Sequence, residues 1–363
     1  MRIAQLDFSR PCRNSIVWGY NATMNYKHAL VVGKFAPLHK GHQHLIECAR
    51  SGAQRVTVLC YATPDFTDMP SGLRAQWIAA LYPDVQVLVP DGAPPDSAPG
   101  PAHWAFLRQW LAQAGVDADV VFSSEQYGPP FAAALGLAHR MVDHARACVP
   151  ISASMIRADV HAQRAWLAPG VYRHFVQRIV LVGAESTGKS TLAAYMAERC
   201  GTRFVPEIGR EVWEARQGQL APADYVAIAE RHRAEEDAAL EHCHRYLFSD
   251  TNALTTLLLG FCYGHLHQAP PALLDYAQDC ARRYAAHFLC GEEIPFHQDG
   301  WRDDATWRSR IQGMVRYDLQ ARGIPYLELR GTLAQRADRL MARLEEEGGR
   351  GDRRWSERAG QQA

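Results

Sequence analysis

The run Gly183-Ala184-Glu185-Ser186-Thr187-Gly188-Lys189-Ser190 constrains this chain more than any other feature. It fits G-x-x-x-x-G-K-[ST], follows the β-type run 178–182 and opens a helical pattern. A loop in that setting belongs at the carboxyl edge of a parallel sheet, where a helix N-terminus leaves backbone N–H groups free for an anion. Gly183, Glu185, Ser186, Thr187 and Gly188 would wrap the phosphates of ATP, and Thr191 would follow them into the helix. Lys189 would reach the β and γ oxygens, and Ser190 would give its hydroxyl to Mg2+.

The pattern around this loop agrees with such a sheet. Strand-like runs at 178–182, 203–205, 245–248, 287–289 and 326–329 alternate with helical patterns at 222–242, 271–285 and 306–322. An earlier series does the same, with strands at 29–32, 55–61, 85–89, 119–122 and 140–142 and helices at 41–50, 73–81, 104–114 and 130–135. A Pro-Gly break at Pro169 and Gly170 separates the two. The expected organisation is a tail at 1–26, a first α/β domain at 27–168, a linker at 169–177, a second α/β domain at 178–345 and a disordered tail at 346–363. Met1 and Met24 both remain open as the start of translation.

Composition excludes several classes. Lys plus Arg equals Asp plus Glu at 39 each, so no net field draws the chain to nucleic acid or an anionic membrane. No apolar run reaches the roughly 18 residues that a membrane span needs. Nine scattered cysteines without a C-x-x-C pair fit a reduced, cytoplasmic setting better than disulfides or zinc.

The first domain has its own candidate site. Gly33-Lys34-Phe35-Ala36-Pro37-Leu38-His39-Lys40-Gly41-His42 leads from a buried strand into a helix. His39 and His42 would donate hydrogen bonds to charge growing on a phosphoryl group, and Gly41 would let the backbone come close. About 110 residues on, Ile151-Ser152-Ala153-Ser154-Met155-Ile156-Arg157 offers two hydroxyls and a guanidinium at another helix start.

In the second domain, Asp250 ends a strand where a metal-organising acid would stand, although an acid there can equally cap the next helix. Glu207 and Arg210 follow the strand after the phosphate loop, where an acceptor would sit; a first-turn acid on a helix is the plainer alternative for Glu207. Asp299-Gly300-Trp301-Arg302 reads as a lid carrying an arginine, whereas Arg308 and Arg310 fit ordinary helix ion pairs as well.

The H-x-G-H and I-S-x-S-x-x-R pair resembles the nucleotidyltransferase superfamily. With Ser123-Ser124-Glu125, Val142-Asp143-x-x-Arg146, Gly183-x-Glu-Ser-Thr-Gly-Lys-Ser-Thr, Pro206-Glu-x-Gly-Arg210 and Asp299-Gly-x-Arg302, the chain over roughly 27–340 resembles the bifunctional NadR family. Residues 1–28 are too few for the helix-turn-helix repressor module of enterobacterial members, and Asn252 stands where relatives tend to carry aspartate. The resemblance implies two doubly wound parallel-sheet domains, an H-x-G-H nucleotidyltransferase domain of Rossmann-like fold and then a P-loop kinase domain.

It also implies NAD salvage: phosphorylation of nicotinamide riboside, then adenylylation of nicotinamide mononucleotide with release of pyrophosphate. ATP is co-substrate and Mg2+ cofactor at both steps. Gly33, Lys34, Phe35, His39, Gly41, His42, Ser152, Ser154 and Arg157 are implied at the first ATP site; Lys189, Glu207 and Arg302 are implied as catalytic, Arg210 at the acceptor, and Ser190 and Asp250 at the metal. Small molecules are the implied partners, and a homo-oligomer is compatible with them. The same chemistries on another nucleoside or vitamin, or a nucleotide sensor without turnover, stay open as alternatives.

Overall fold

The computed structural model describes residues 26–295 and 305–359. Its contacts divide the chain into two compact units between Val171 and Tyr172. The expected N-terminal tail, apart from Tyr26, lies outside the described residues.

The first unit is built on β1 (Tyr26–Gly33), β2 (Ala53–Cys60), β3 (Gln86–Leu88), β4 (Val120–Ser123) and β5 (Ala138–Met141). Between and after them come α1 (Lys40–Gly52), α2 (Ser71–Leu81), α3 (Gly100–Gln113), α4 (Gly128–Leu135), α5 (Ala153–Ala158) and α6 (Pro169–Tyr172). All pairings are parallel and the order is β3-β2-β1-β4-β5. Ala29, Leu30 and Val31 of the central strand are wholly buried, as continuous apolar runs are when helices cover both faces of a sheet. The chain leaves β1 to one side and later returns to the other, which opens a crevice between the carboxyl ends of β1 and β4.

The second unit has β6 (Gln177–Val182), β7 (Arg203–Val205), β8 (Tyr246–Asp250), β9 (Ala286–Cys290) and β10 (Tyr326–Leu329), again parallel, in the order β10-β9-β6-β8-β7. Its helices are α7 (Lys189–Cys200), α8 (Ile208–Ala215), α9 (Pro222–Ala239), α10 (Ala253–Cys262), α11 (Pro271–Arg283), α12 (Ala305–Ala321) and α13 (Leu333–Ala359). Alternation along β6 sets up two cores: Val180 and Val182 pack with Leu254, Leu273 and Val315, while Ile179 and Leu181 pack with Leu192, Met196 and Leu340. The two doubly wound α/β domains that the sequence pattern predicts are therefore present.

Some local expectations change. The segment 169–177 is α6 followed by a 3-10 turn, Arg173–Phe175, rather than an open linker. Arg245 has φ 61, so β8 starts one residue later and runs on to Asp250. Residues 346–359 belong to α13. The apolar stretch from Ala253 is α10, a core helix. No helix among the described residues is long and apolar enough to cross a membrane.

Two candidate phosphate sites

The first site lies at the crevice of the first sheet. His39 caps α1: its Nδ1 accepts from the N–H of Gly41 at 3.1 Å and of His42 at 3.4 Å. His42 Nδ1 lies 3.5 Å from the N–H of His39, and the two rings stack with centroids 3.7 Å apart. A side chain on Gly41 would meet the His39 ring at 2.9 Å, so only glycine leaves that ring its place. Accepting at Nδ1 puts the single proton of neutral His39 on Nε2, as a donor.

Electrostatics keeps both rings neutral. Burial lowers His39 to about 4, helped by the Arg146 and Arg157 charges. Burial also holds His42 well below its ordinary value, with His39 and the same arginines adding to it against the Pro37 carbonyl. We expect the His39 and His42 ring resonances of the ligand-free protein to stay flat between pH 8 and 5.5. A titration near 6.5 at either ring in an NMR series would contradict this geometry. Because the unfolded chain takes up protons below about 6.5 and the folded chain does not until about 4, stability of this domain must fall as pH drops through that window.

Arg157 ties the two motifs together, its guanidinium donating to the Ala36 carbonyl at 2.7 Å and to Ser154 Oγ at 3.2 Å. Ser152 caps α5 through Met155 N–H. A cleft of about 160 Å³ lies beside them, lined by His39, Gly41, His42, Ser124, Asp143, Arg146, Ser152 and Ser154 among others. Gly33, Lys34 and Phe35 do not line it: Phe35 packs its edge on His42, and Lys34 pairs with Asp96 at 2.7 Å in the loop before α3. Sequence reasoning missed Arg74, wholly buried on α2, which donates to the carbonyls of Lys34, Tyr61 and Met69 and so fixes the floor of the histidine loop.

The second site is the loop between β6 and α7. Gly183 has φ 138, and a side chain there would press on the Cys290 carbonyl at 3.0 Å. Lys189 is buried and donates to the Ala184 carbonyl at 2.9 Å, which also accepts from Thr187 Oγ1 at 2.8 Å. Two residues that the sequence did not single out hold the loop. Gln312 accepts from Ala184 N–H at 2.8 Å and donates to the Cys290 carbonyl. Arg336, 2% exposed, donates to the carbonyls of Thr187, Gly291 and Gly331 and pairs with Glu293. A charged residue on the apolar stripe of the last helix was the available signal.

Around this loop the structure gathers acids. Asp250 ends β8 beside Leu181 of β6; it is 1% exposed and neither carboxylate oxygen has a hydrogen-bond partner. It does not cap α10, whose cap is Asn252. Glu207 stands at the head of α8 without a side-chain cap bond, so its carboxylate is not spent on that helix. Burial raises its pKa, Lys189 opposes, Asp250 and Glu185 add, and Arg210 opposes again, which places all five charges within electrostatic reach. Glu185 accepts from the Tyr263 hydroxyl at 2.9 Å. Ser190 and Thr191 start α7 at exposed positions. Arg308 donates to the Ile294 carbonyl, whereas Arg302 lies outside the described residues. Asp250 and Ser190 are hard oxygen donors, and the unpartnered buried carboxylate suits Mg2+.

A family model described as an AAA domain matches residues 178–336. The trifunctional NAD biosynthesis/regulator protein NadR of Escherichia coli (strain K12) is 25% identical over 328 residues, which cover 83% of this chain and 78% of that protein. A crystal structure of NadR protein in complex with NR has a TM-score of 0.65 at 19% identity and covers 84% of this chain and 89% of its own. Another, in complex with NAD and AMP-PNP, has the same TM-score and identity over 89% of this chain and 96% of its own. These structures share the fold of both units.

Proposed function

We propose, for a chain that is a homologue of the NadR proteins along 83% of its length, that the two phosphate sites perform successive steps of NAD salvage. The observation that carries this reading is their pairing in one chain: stacked neutral histidines at the edge of one parallel sheet, and a P-loop facing a buried unpartnered carboxylate at the edge of the other. That the relatives carry NAD biosynthesis in their name, and that a NadR crystal holds an ATP analogue with NAD, supports it.

In the second domain the γ-phosphoryl of ATP would pass to the ribose 5′-hydroxyl of nicotinamide riboside, and ADP would leave. Lys189 would exchange the Ala184 carbonyl for phosphate oxygens, and Glu207, its pKa raised by burial, would take the hydroxyl proton. Ser190 and Asp250 would hold Mg2+, which supplies charge neutralisation between the phosphates. Arg210 would meet the acceptor, and Glu185 would stay with the phosphate loop. In the first domain the phosphate of nicotinamide mononucleotide would attack the α-phosphorus of a second ATP, releasing pyrophosphate. His39 and His42 would donate to the developing charge, and Arg146, Arg157 and the Ser152 and Ser154 hydroxyls would bind phosphate oxygens.

Incubation with magnesium-ATP and either the riboside or the mononucleotide tests both steps. Mass spectrometry should find the mononucleotide with ADP in the first case and NAD with pyrophosphate in the second. Absence of both products, or turnover of a different nucleoside only, would end this reading. The free cysteines among the described residues accord with a cytoplasmic setting.

Separate sites also predict separable activities. Cleaving the gene between the codons of Val171 and Tyr172 should yield a fragment that makes NAD from the mononucleotide and another that phosphorylates the riboside. A folded fragment that stays inactive until the other is added would mean that a site needs both halves.

A further inference from the structure

We infer that Asn252 is a substrate-contacting residue of the second site, whose side-chain amide binds a sugar hydroxyl of the acceptor ribonucleoside. This rests on the kinase reading of that site. Asn252 caps α10, and the cap fixes which way its amide points: Oδ1 accepts from the N–H of Thr255 at 3.1 Å and from its Oγ1 at 3.2 Å. Nδ2 is then forced to the other side, as two donors. Asn252 is 1% exposed and Nδ2 has no hydrogen-bond partner.

Two residues back, Asp250 is equally buried and its two oxygens are equally without a bond. His232, close enough for its charge state to respond to Asp250, makes no hydrogen bond to it either. A buried donor and a buried acceptor, two residues apart at the carboxyl end of β8, both stay unbonded, so a ligand that completes both gains what the empty site lacks. Phosphate oxygens only accept. A hydroxyl does both: one Asp250 oxygen can hold Mg2+ while the other accepts the hydroxyl proton, and the hydroxyl oxygen accepts from the amide. The acceptor class that fits is a ribonucleoside presenting a hydroxyl at this corner.

Asn252→Ser, in the full chain, separates capping from recognition, because it keeps a good helix cap and loses the Nδ2 donor. AMP-PNP binding reports that the P-loop domain is folded. With that affinity kept, kcat/KM for the riboside should fall about 10–100-fold, with KM for ATP unchanged, and calorimetric riboside binding should weaken alike. Activity and binding of Asn252→Ser within twofold of wild type would overturn the inference while leaving the kinase reading intact, as would a loss confined to KM for ATP. A wild-type chain that binds no riboside overturns both.

Discussion

Lys189→Ala removes phosphorylation of nicotinamide riboside, by on the order of 10²-fold or more in kcat, and leaves adenylylation of the mononucleotide at its wild-type rate. The lysine is the buried cation of the P-loop, and its Nζ rests 2.9 Å from a loop carbonyl that a phosphate would replace. Alanine deletes the charge that meets the transferring phosphoryl group; neither Arg336 nor Gln312 can take its place, since both are occupied in holding the loop. Fold should survive, because Thr187 keeps its own bond to Ala184. Paired assays of ADP and pyrophosphate release on one preparation check the result. An equal fall in both activities would refute the assignment of one phosphate loop to one step.

His42→Ala produces the opposite pattern. NAD synthesis from the mononucleotide should drop on the order of 10²-fold in kcat while riboside phosphorylation is untouched. At the helix start alanine loses only the long 3.5 Å half of a capping box, His39 N–H to His42 Nδ1, and keeps the other half, in which His39 Nδ1 accepts from the backbone N–H groups of residues 41 and 42. What is lost is a neutral ring stacked on His39 and edge-on to Phe35, in reach of the arginine field. A variant that keeps NAD synthesis within about threefold would make His42 a packing residue only.

Strand placement was legible where a doubly wound sheet writes its core into continuous apolar runs, as in β6 and β9, and less so at edge strands such as β5 and β7, whose residues are mostly exposed. Helix α8 was not, since its eight residues, though amphipathic, are too few for a helical period to stand out and Glu207 gives them no side-chain cap. The phosphate loop and both histidines could be read from local spacing, because βα turns are built from neighbours in sequence. Arg74, Gln312 and Arg336 could not, as each bonds to carbonyls brought to it by the fold over 40, 128 or 149 residues. Asn252 was noticed as a departure from the family pattern, but only the cap bonds determine which end of its amide is free.

The hold of Arg336 on Thr187 has a consequence during synthesis of the chain. Everything that shapes the first site is encoded by residue 171, so that domain can finish folding while the ribosome is still at work. The phosphate loop is encoded soon after, yet the guanidinium that grips its carbonyl arrives only with α13. On the proposed function, translation would therefore deliver the first site well before the phosphate loop of the second is set, and a ribosome that stalls short of residue 336 would leave a chain expected to adenylylate mononucleotide from elsewhere but not to make its own.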